Sequence, residues 1–374
     1  MFLLMQPGLT RNFAHFGWAA ISVSTVGTVL LPAAAWSGPT GLGALLWAIN
    51  LGLYQLLRRF DRVGLMWLIG VAGLVTLSLV CTPGIKLAGS SSRINIMQSP
   101  FSQADAILSQ YDPRITTKYL QDLQRLSKNR SGLLVFPEQT LPGMLETEKP
   151  LSKEAQSLLS GVPEAILGVV VSRQQKLFNT AQHWKQHQLE ESYVKRALMP
   201  GGEDDLTPGT SSRTVRAAGI HWGVLICYES IIPWVAREAV QSGAEALMVL
   251  TSDGFAGGAN TPEAHWRGSV ALAAALGRPL VFASKTGPSS FSDASGSIQA
   301  KTMRGANTVL EGRVRAVTGL TPYAAFGDWL GVLGLLVGVV IRFLKPNKNR
   351  VTAFSFEVTR GRSEPTMICG SVEP

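Results

Sequence analysis

The chain has 374 residues, of which 46% are hydrophobic and only 16% charged. That length exceeds one small domain, and so low a charged fraction points to membrane segments beside a folded domain. The net charge of +9 comes without a basic stripe interleaved with aromatics, which argues against nucleic-acid binding; Lys and Arg in loops next to a membrane account for it.

Three stretches near the amino terminus carry no charge: Phe16 to Trp36, Gly38 to Leu57 and Val63 to Thr82. Each is long enough to cross a hydrocarbon core, which takes about 20 apolar residues. Three membrane helices are therefore expected within residues 1–90. Arg58, Arg59 and Arg62 lie between the second and third stretches and predict a cytoplasmic loop there. The third span then leads outward, which places the following domain outside the cytoplasm.

Residues 91–323 read as one α/β domain. Arg93–Gln98 alternates like a strand, and Asp105 to Asn129 holds a helical pattern of apolar positions. Short apolar runs at Leu133–Phe136, Ala165–Val171, Val224–Ile226, Ala246–Thr251 and Pro279–Ala283 read as buried strands. Helical stretches separate several of them, notably Pro262 to Gly277, and strands alternating with helices argue for an α/β fold.

Several of these strands end in reactive groups. Glu138 follows Leu-Leu-Val-Phe-Pro, Cys227 follows Val-Leu-Ile, and Asp253 follows Val-Leu-Thr-Ser. α/β folds place their chemistry at the carboxyl ends of buried strands. A helix beginning near Cys227 is expected to favour its thiolate. Lys195 lies in a separate loop, Tyr193-Val-Lys195-Arg-Ala-Leu-Met-Pro200-Gly-Gly-Glu203. A carboxylate, an ammonium and a thiol suffice for acyl transfer. Glu138 serves as general base, Lys195 stabilises the oxyanion, and Cys227 carries the acyl group as a thioester. Singly, each has a plain structural explanation: a solvated turn, a surface charge, a small buried hydrophobe. Their joint order is what points to chemistry.

The order Phe136-Pro-Glu138, Tyr193-Val-Lys195, Pro200-Gly-Gly-Glu203, Cys227-Tyr-Glu229 and Leu276-Gly-Arg-Pro-Leu280 resembles the nitrilase, or carbon–nitrogen hydrolase, superfamily. Its membrane branch, the apolipoprotein N-acyltransferases, is the nearer likeness, and shortened conjugal transfer proteins of the TraB type are also similar. The resemblance implies a four-layer α-β-β-α sandwich. It implies that Glu203 supports Lys195 and that Tyr228 and Glu229 belong to the active site. It implies transfer of a fatty acyl chain from a phospholipid to the amino group of a lipoprotein or other amine, with no metal or organic cofactor. Phe255 stands where that branch commonly has tryptophan.

Residues 324–345 read as a last membrane helix, apolar from Trp329 to Leu344 apart from Arg342. Lys345, Lys348 and Arg350 then predict a cytoplasmic tail over 346–374, in agreement with the orientation read from the first loop. A multi-pass inner (plasma) membrane protein with a periplasmic catalytic domain is the expectation. The cysteines Cys81, Cys227 and Cys369 are too far apart for a disulfide framework or a zinc site.

Overall fold

The computed structural model describes residues 24–59, 62–80, 84–109, 111–141, 144–146, 158–253, 260–331 and 333. A 3-10 turn at Leu31–Ala33 leads into α1 (Ala34–Arg59), and α2 (Arg62–Val80) follows. Then come β1 (Lys86–Gln98), α3 (Gln103–Leu108), α4 (Pro113–Ser127), β2 (Leu133–Phe136), β3 (Met144–Glu146), β4 (Glu164–Arg173), β5 (Lys176–Lys185) and β6 (Gln188–Val194). The second half holds β7 (Val215–Ala217), β8 (Ile220–Ile226), a 3-10 turn at Cys227–Ile231, α5 (Pro233–Gln241), β9 (Ala246–Thr251) and α6 (Thr261–Ala275). It closes with β10 (Leu280–Ser284), β11 (Ser290–Ser292), β12 (Ile298–Lys301), β13 (Thr308–Thr318) and α7 (Pro322–Phe326).

The strands form two sheets. One runs β13-β1-β2-β4-β5-β6 with β3 beside β4, and the other runs β12-β11-β10-β9-β8-β7. Each has a parallel centre, β1-β2-β4 in the first and β8-β9-β10 in the second, flanked by antiparallel edges. Side chains alternate faces along a strand. Val224 and Ile226 of β8, with Ala246, Met248 and Leu250 of β9, meet Ile94, Ile96, Leu133 and Val135 between the sheets. Leu225, Leu247, Val249 and Phe282 point the other way, into a core shared with α5 and α6. On the first sheet Leu134, Phe136, Leu167 and Val169 pack with Tyr119 and Leu123 of α4. The layers therefore run helix, sheet, sheet, helix. Burial on both faces is why the central strands read as unbroken apolar runs.

The Leu276–Leu280 motif is architectural. Arg278 is buried, and its guanidinium donates to the carbonyls of Ala244 at 2.7 Å and Gly319 at 2.5 Å. It ties the approach to β9 to the exit of β13. Burial pushes its pKa down to about 10.

Two expectations change. The helix read over Asp105 to Asn129 is two helices, because Asp112 caps a new one through the Arg114 N–H at 3.0 Å with Pro113 at its first position. The first expected membrane span also differs: Phe16 to Val23 lie outside the described residues, and Ser24 to Ala33 form turns that end in the 3-10 turn. Leu31, Ala33 and Ala34 pack into the α5–α6 core instead. The chain is redirected at Gly38, whose φ of +68° suits glycine and where a Cβ would lie 2.2 Å from the Tyr323 ring. Among the described residues one helix is long and apolar enough to cross a membrane, Leu31–Arg58, and a shorter apolar helix covers Gly64–Val80. Trp47, Leu51, Tyr54 and Leu57 of the first and Met66, Trp67, Ile69 and Val80 of the second are exposed. The expected span at Trp329–Leu344 and the tail lie mostly outside the described residues, as do Cys81, Phe255 and Cys369.

Candidate active site

The ends of β2, β6, β8 and β9 converge. β2 delivers Glu138 through the Pro137 turn, which passes so close to β4 that a Cβ on Gly168 would lie 2.4 Å from the Pro137 carbonyl oxygen. β6 delivers Lys195, whose backbone N–H donates to the Asn179 carbonyl at 2.9 Å. The Lys195 ammonium donates to Glu203 Oε1 at 2.7 Å and stands 3.5 Å from Glu138 Oε1. Asn179 Nδ2 bridges the same two carboxylates, at 2.8 Å to Glu138 and 3.3 Å to Glu203. The other oxygen of Glu138 accepts from the Ser252 N–H at 3.0 Å, which brings the end of β9 to this carboxyl group. Glu203 Oε2 accepts from the Met199 N–H at 2.8 Å and closes the lysine loop on itself. Lys195 is 1% exposed and Glu138 4%, so these charges face each other with little water between them.

Cys227 begins the 3-10 turn after β8 with φ +49°, a conformation a non-glycine residue holds only where its surroundings impose it. The surroundings are polar and buried. The Cys227 carbonyl accepts from the Ser230 hydroxyl at 2.8 Å and has His265 Nε2 at 3.1 Å. His265 Nδ1 lies 2.8 Å from Asp253 Oδ1, and Asp253 Oδ2 accepts from the Ser284 hydroxyl at 2.7 Å. Glu229 joins this turn to the lysine loop. Its Oε2 accepts from the Ile226 N–H at 2.8 Å, while Oε1 accepts from the Arg196 N–H at 2.6 Å, the Ala197 N–H at 3.1 Å and the Tyr193 hydroxyl at 2.8 Å. Tyr228 is buried in the core under α5 and α6.

The electrostatics are those of a resting thiol beside an ionised cation. Burial pushes the Cys227 pKa well above that of a free thiol, and the Glu138 charge adds to this while Lys195 opposes it. The expectation of a thiolate favoured by a helix end is corrected: α5 starts only at Pro233, and burial outweighs it. For Lys195, burial alone would lower the pKa, but the charges of Glu138, Cys227 and Glu203 and the Glu203 hydrogen bond hold it above the usual lysine value. Burial also raises the pKa of Glu229 against its backbone donors. Such a site holds a thiol whose burial disfavours its ionisation beside a buried ammonium and the buried Glu138. A thiol in that state needs a base before it can attack.

Sequence reading singled out Glu138, Lys195, Glu203, Cys227, Tyr228 and Glu229, and all but Tyr228 converge on these contacts. It missed Asn179, Ser252 and His265. Nothing in Leu177-Phe-Asn179-Thr marks the asparagine, whose partners lie 41 and 24 residues away. His265 carries no sequence signal of its own; only the fold sets it against Asp253.

The carbon-nitrogen hydrolase family profile matches residues 108–323. An apolipoprotein N-acyltransferase from Methylococcus capsulatus is 26% identical over 94% of this chain and 74% of its own length. An (R)-stereoselective amidase from a Pseudomonas species is 31% identical over 32% of this chain and 47% of its own length. Among solved structures, XC1258 from Xanthomonas campestris, a CN-hydrolase superfamily protein, superposes with a TM-score of 0.50 at 15% identity, covering 67% of this chain and 97% of that one. The last shares the fold alone. The matched segment runs from the end of α3 into α7 and takes in each element that brings a polar group to Cys227, and this chain belongs to the carbon–nitrogen hydrolase family.

Proposed function

We propose that this protein is a membrane-bound N-acyltransferase that carries a fatty acyl chain as a thioester on Cys227. The reading rests on the dry Glu138–Lys195–Glu203 cluster beside the left-handed Cys227 turn. It is supported by similarity to an apolipoprotein N-acyltransferase over 94% of the chain. Glu138 takes the thiol proton as Sγ attacks the ester carbonyl of a phospholipid. The oxyanion that forms draws on the Lys195 ammonium, in a setting where charge stabilisation is strong. The intermediate collapses with cleavage of the C–O bond, and Glu138 returns its proton to the leaving alkoxide. In the second half an amine attacks the thioester, Glu138 takes a proton from it, and the thiolate leaves and is reprotonated. Glu203 and Asn179 hold Lys195 and Glu138 at their separation, and Glu229 holds the lysine loop to the nucleophile turn. The cycle needs no metal or organic cofactor.

The protein sits in the inner membrane through α1 and α2 in residues 1–90, with the catalytic domain in 91–323 on the periplasmic side, one span in 324–345 and a cytoplasmic tail in 346–374. The exposed apolar residues of α1 and α2 support a lipid environment. Lipoprotein maturation is the setting; the relatives named above give conjugal transfer no support.

A second reading, amide hydrolysis with water as acceptor, draws on the amidase similarity. Acceptor competition separates the two. Purified protein in phospholipid vesicles is given a peptide with a diacylglyceryl cysteine at its amino terminus, and acyl gain on the peptide amine is measured by mass. N-acylation that requires Cys227 supports the transferase. Release of free fatty acid alone, or hydrolysis of small amides without transfer, supports the hydrolase.

A further inference from the structure

A second buried lysine stands at the same end of the sheets. Lys285 directly follows β10, is 4% exposed, and its backbone N–H donates to the Thr251 carbonyl at 3.0 Å. Its ammonium donates at 2.5 Å to the carbonyl of Gln139, the residue after Glu138. The Phe101 ring lies 5.8 Å away. Among the described residues no carboxylate comes within 4.0 Å of it, in contrast to Lys195. A buried cation held by one carbonyl and a ring is costly, and an apolar side chain would serve the fold better. Gln139 itself has φ +50°, so the turn that presents Glu138 is strained where Lys285 grips it.

The charged groups around Lys285 are few. From the end of β2 it faces Glu138, whose charge raises its pKa, while burial, the larger effect, lowers it to about 8. At the end of β9, Asp253 is occupied by Thr251, Ser284 and His265. The segment between β1 and α3 brings Phe101.

We infer that Lys285 is a positioning residue for the base: its ammonium clamps the Gln139 carbonyl, fixes the strained turn, and keeps Glu138 aimed toward Cys227. The inference rests on Glu138 acting as base, and it adds a second cation whose ammonium, among the described residues, donates to the turn.

The test uses the full-length protein in detergent and a small neutral alkylating reagent, iodoacetamide, with modification of the Cys227 peptide followed by mass across pH 6 to 10. It needs no acyl substrate. Lys285→Met is expected to lower Cys227 alkylation about tenfold below pH 8, as expected when a charged hydrogen bond is lost. The wild-type profile breaks near pH 8, where Lys285 gives up its charge, and the Lys285→Met profile lacks that break. Lys285→Arg, which does not titrate here, also lacks it. Lys285→Gln replaces Lys285→Met if the latter does not fold. A wild-type rate and the same break in Lys285→Met, beside slow alkylation in Glu138→Gln, would overturn the role of Lys285 alone. A wild-type rate in Glu138→Gln would overturn the reading of Glu138 as base, and this inference with it.

Discussion

Two buried polar clusters meet at Cys227, and they are built differently. At the end of the first sheet, Glu138, Lys195 and Glu203 face one another as ions, with Asn179 between them. At the end of the second, Ser230, Ser269, Ser284, Asp253 and His265 form a hydrogen-bonded web under the nucleophile's own carbonyl. The ionic side is arranged to move protons and balance charge. The web side is arranged to hold a left-handed turn that no local preference supports. Glu229 spans the divide, since its two oxygens take N–H groups from both the lysine loop and the nucleophile turn. On the proposed mechanism, Cys227 is held by one half of the domain and activated by the other. Damage to the two sides is expected to differ in kind.

The largest effect is expected on the ionic side. Lys195→Met leaves Glu138 and Glu203 buried without their cation, and removal of one partner of such a cluster costs about 3–5 kcal/mol. Acyl transfer falls by about 10³ as well, the scale of a lost oxyanion partner. Denaturant melts and single-turnover rates check both. Glu138→Gln weighs more on activity than on stability. Its amide oxygen accepts from only one of Ser252 and Asn179 and its NH2 opposes the other, so stability falls by the cost of one unpaired buried donor, about 1–3 kcal/mol, while transfer drops by about 10²–10⁴ with the lost base.

Glu229→Ala attacks the bridge. Three backbone N–H groups and the Tyr193 hydroxyl lose their acceptor, and each unsatisfied buried donor costs about 1–3 kcal/mol. Stability and activity should fall together, with a larger loss of stability than in Glu138→Gln. Lys285 gives the subtlest result. Its pKa is lowered to about 8 from 10.5, so between those values the unfolded chain binds a proton that the folded chain has released. The stability of wild type relative to Lys285→Met therefore rises with pH across that window, by at most about 3 kcal/mol, and the full cost of the buried charge is present below pH 8. Thermal melts of both proteins at pH 7 and pH 10 measure it. Lys285→Met is expected to be the more stable protein at pH 7 and the less reactive one.

The parallel strands were legible because burial on two faces leaves a continuous apolar run, as in Val224–Ile226 and Ala246–Thr251. The antiparallel edges were not. Along β6, Gln188 to Ser192 are all exposed, and Gln-Leu-Glu-Glu-Ser carries no strand signal that survives its polarity. Glu138, Lys195 and Glu229, which the fold brings together, were legible because Pro-Glu, Tyr-x-Lys and Cys-Tyr-Glu stand in a fixed order. Ser252 and Lys285 were not, because their roles come from contacts with Glu138 and Gln139 more than a hundred residues away. One is a backbone N–H and the other a lysine in an unremarkable Ser-Lys-Thr. The apolar helices α1 and α2 were legible as uncharged stretches, but where the chain bends before and within α1 was not. Gly38 shows its reason only against Tyr323.

The central claim is that Cys227 carries an acyl chain taken from lipid. Intact-mass analysis of the full-length protein incubated with phospholipid tests it most directly, with Cys227→Ala alongside. The account predicts a mass gain of one fatty acyl chain, removed by hydroxylamine and missing from Cys227→Ala. An unmodified wild-type protein, or an adduct that persists in Cys227→Ala, would contradict it.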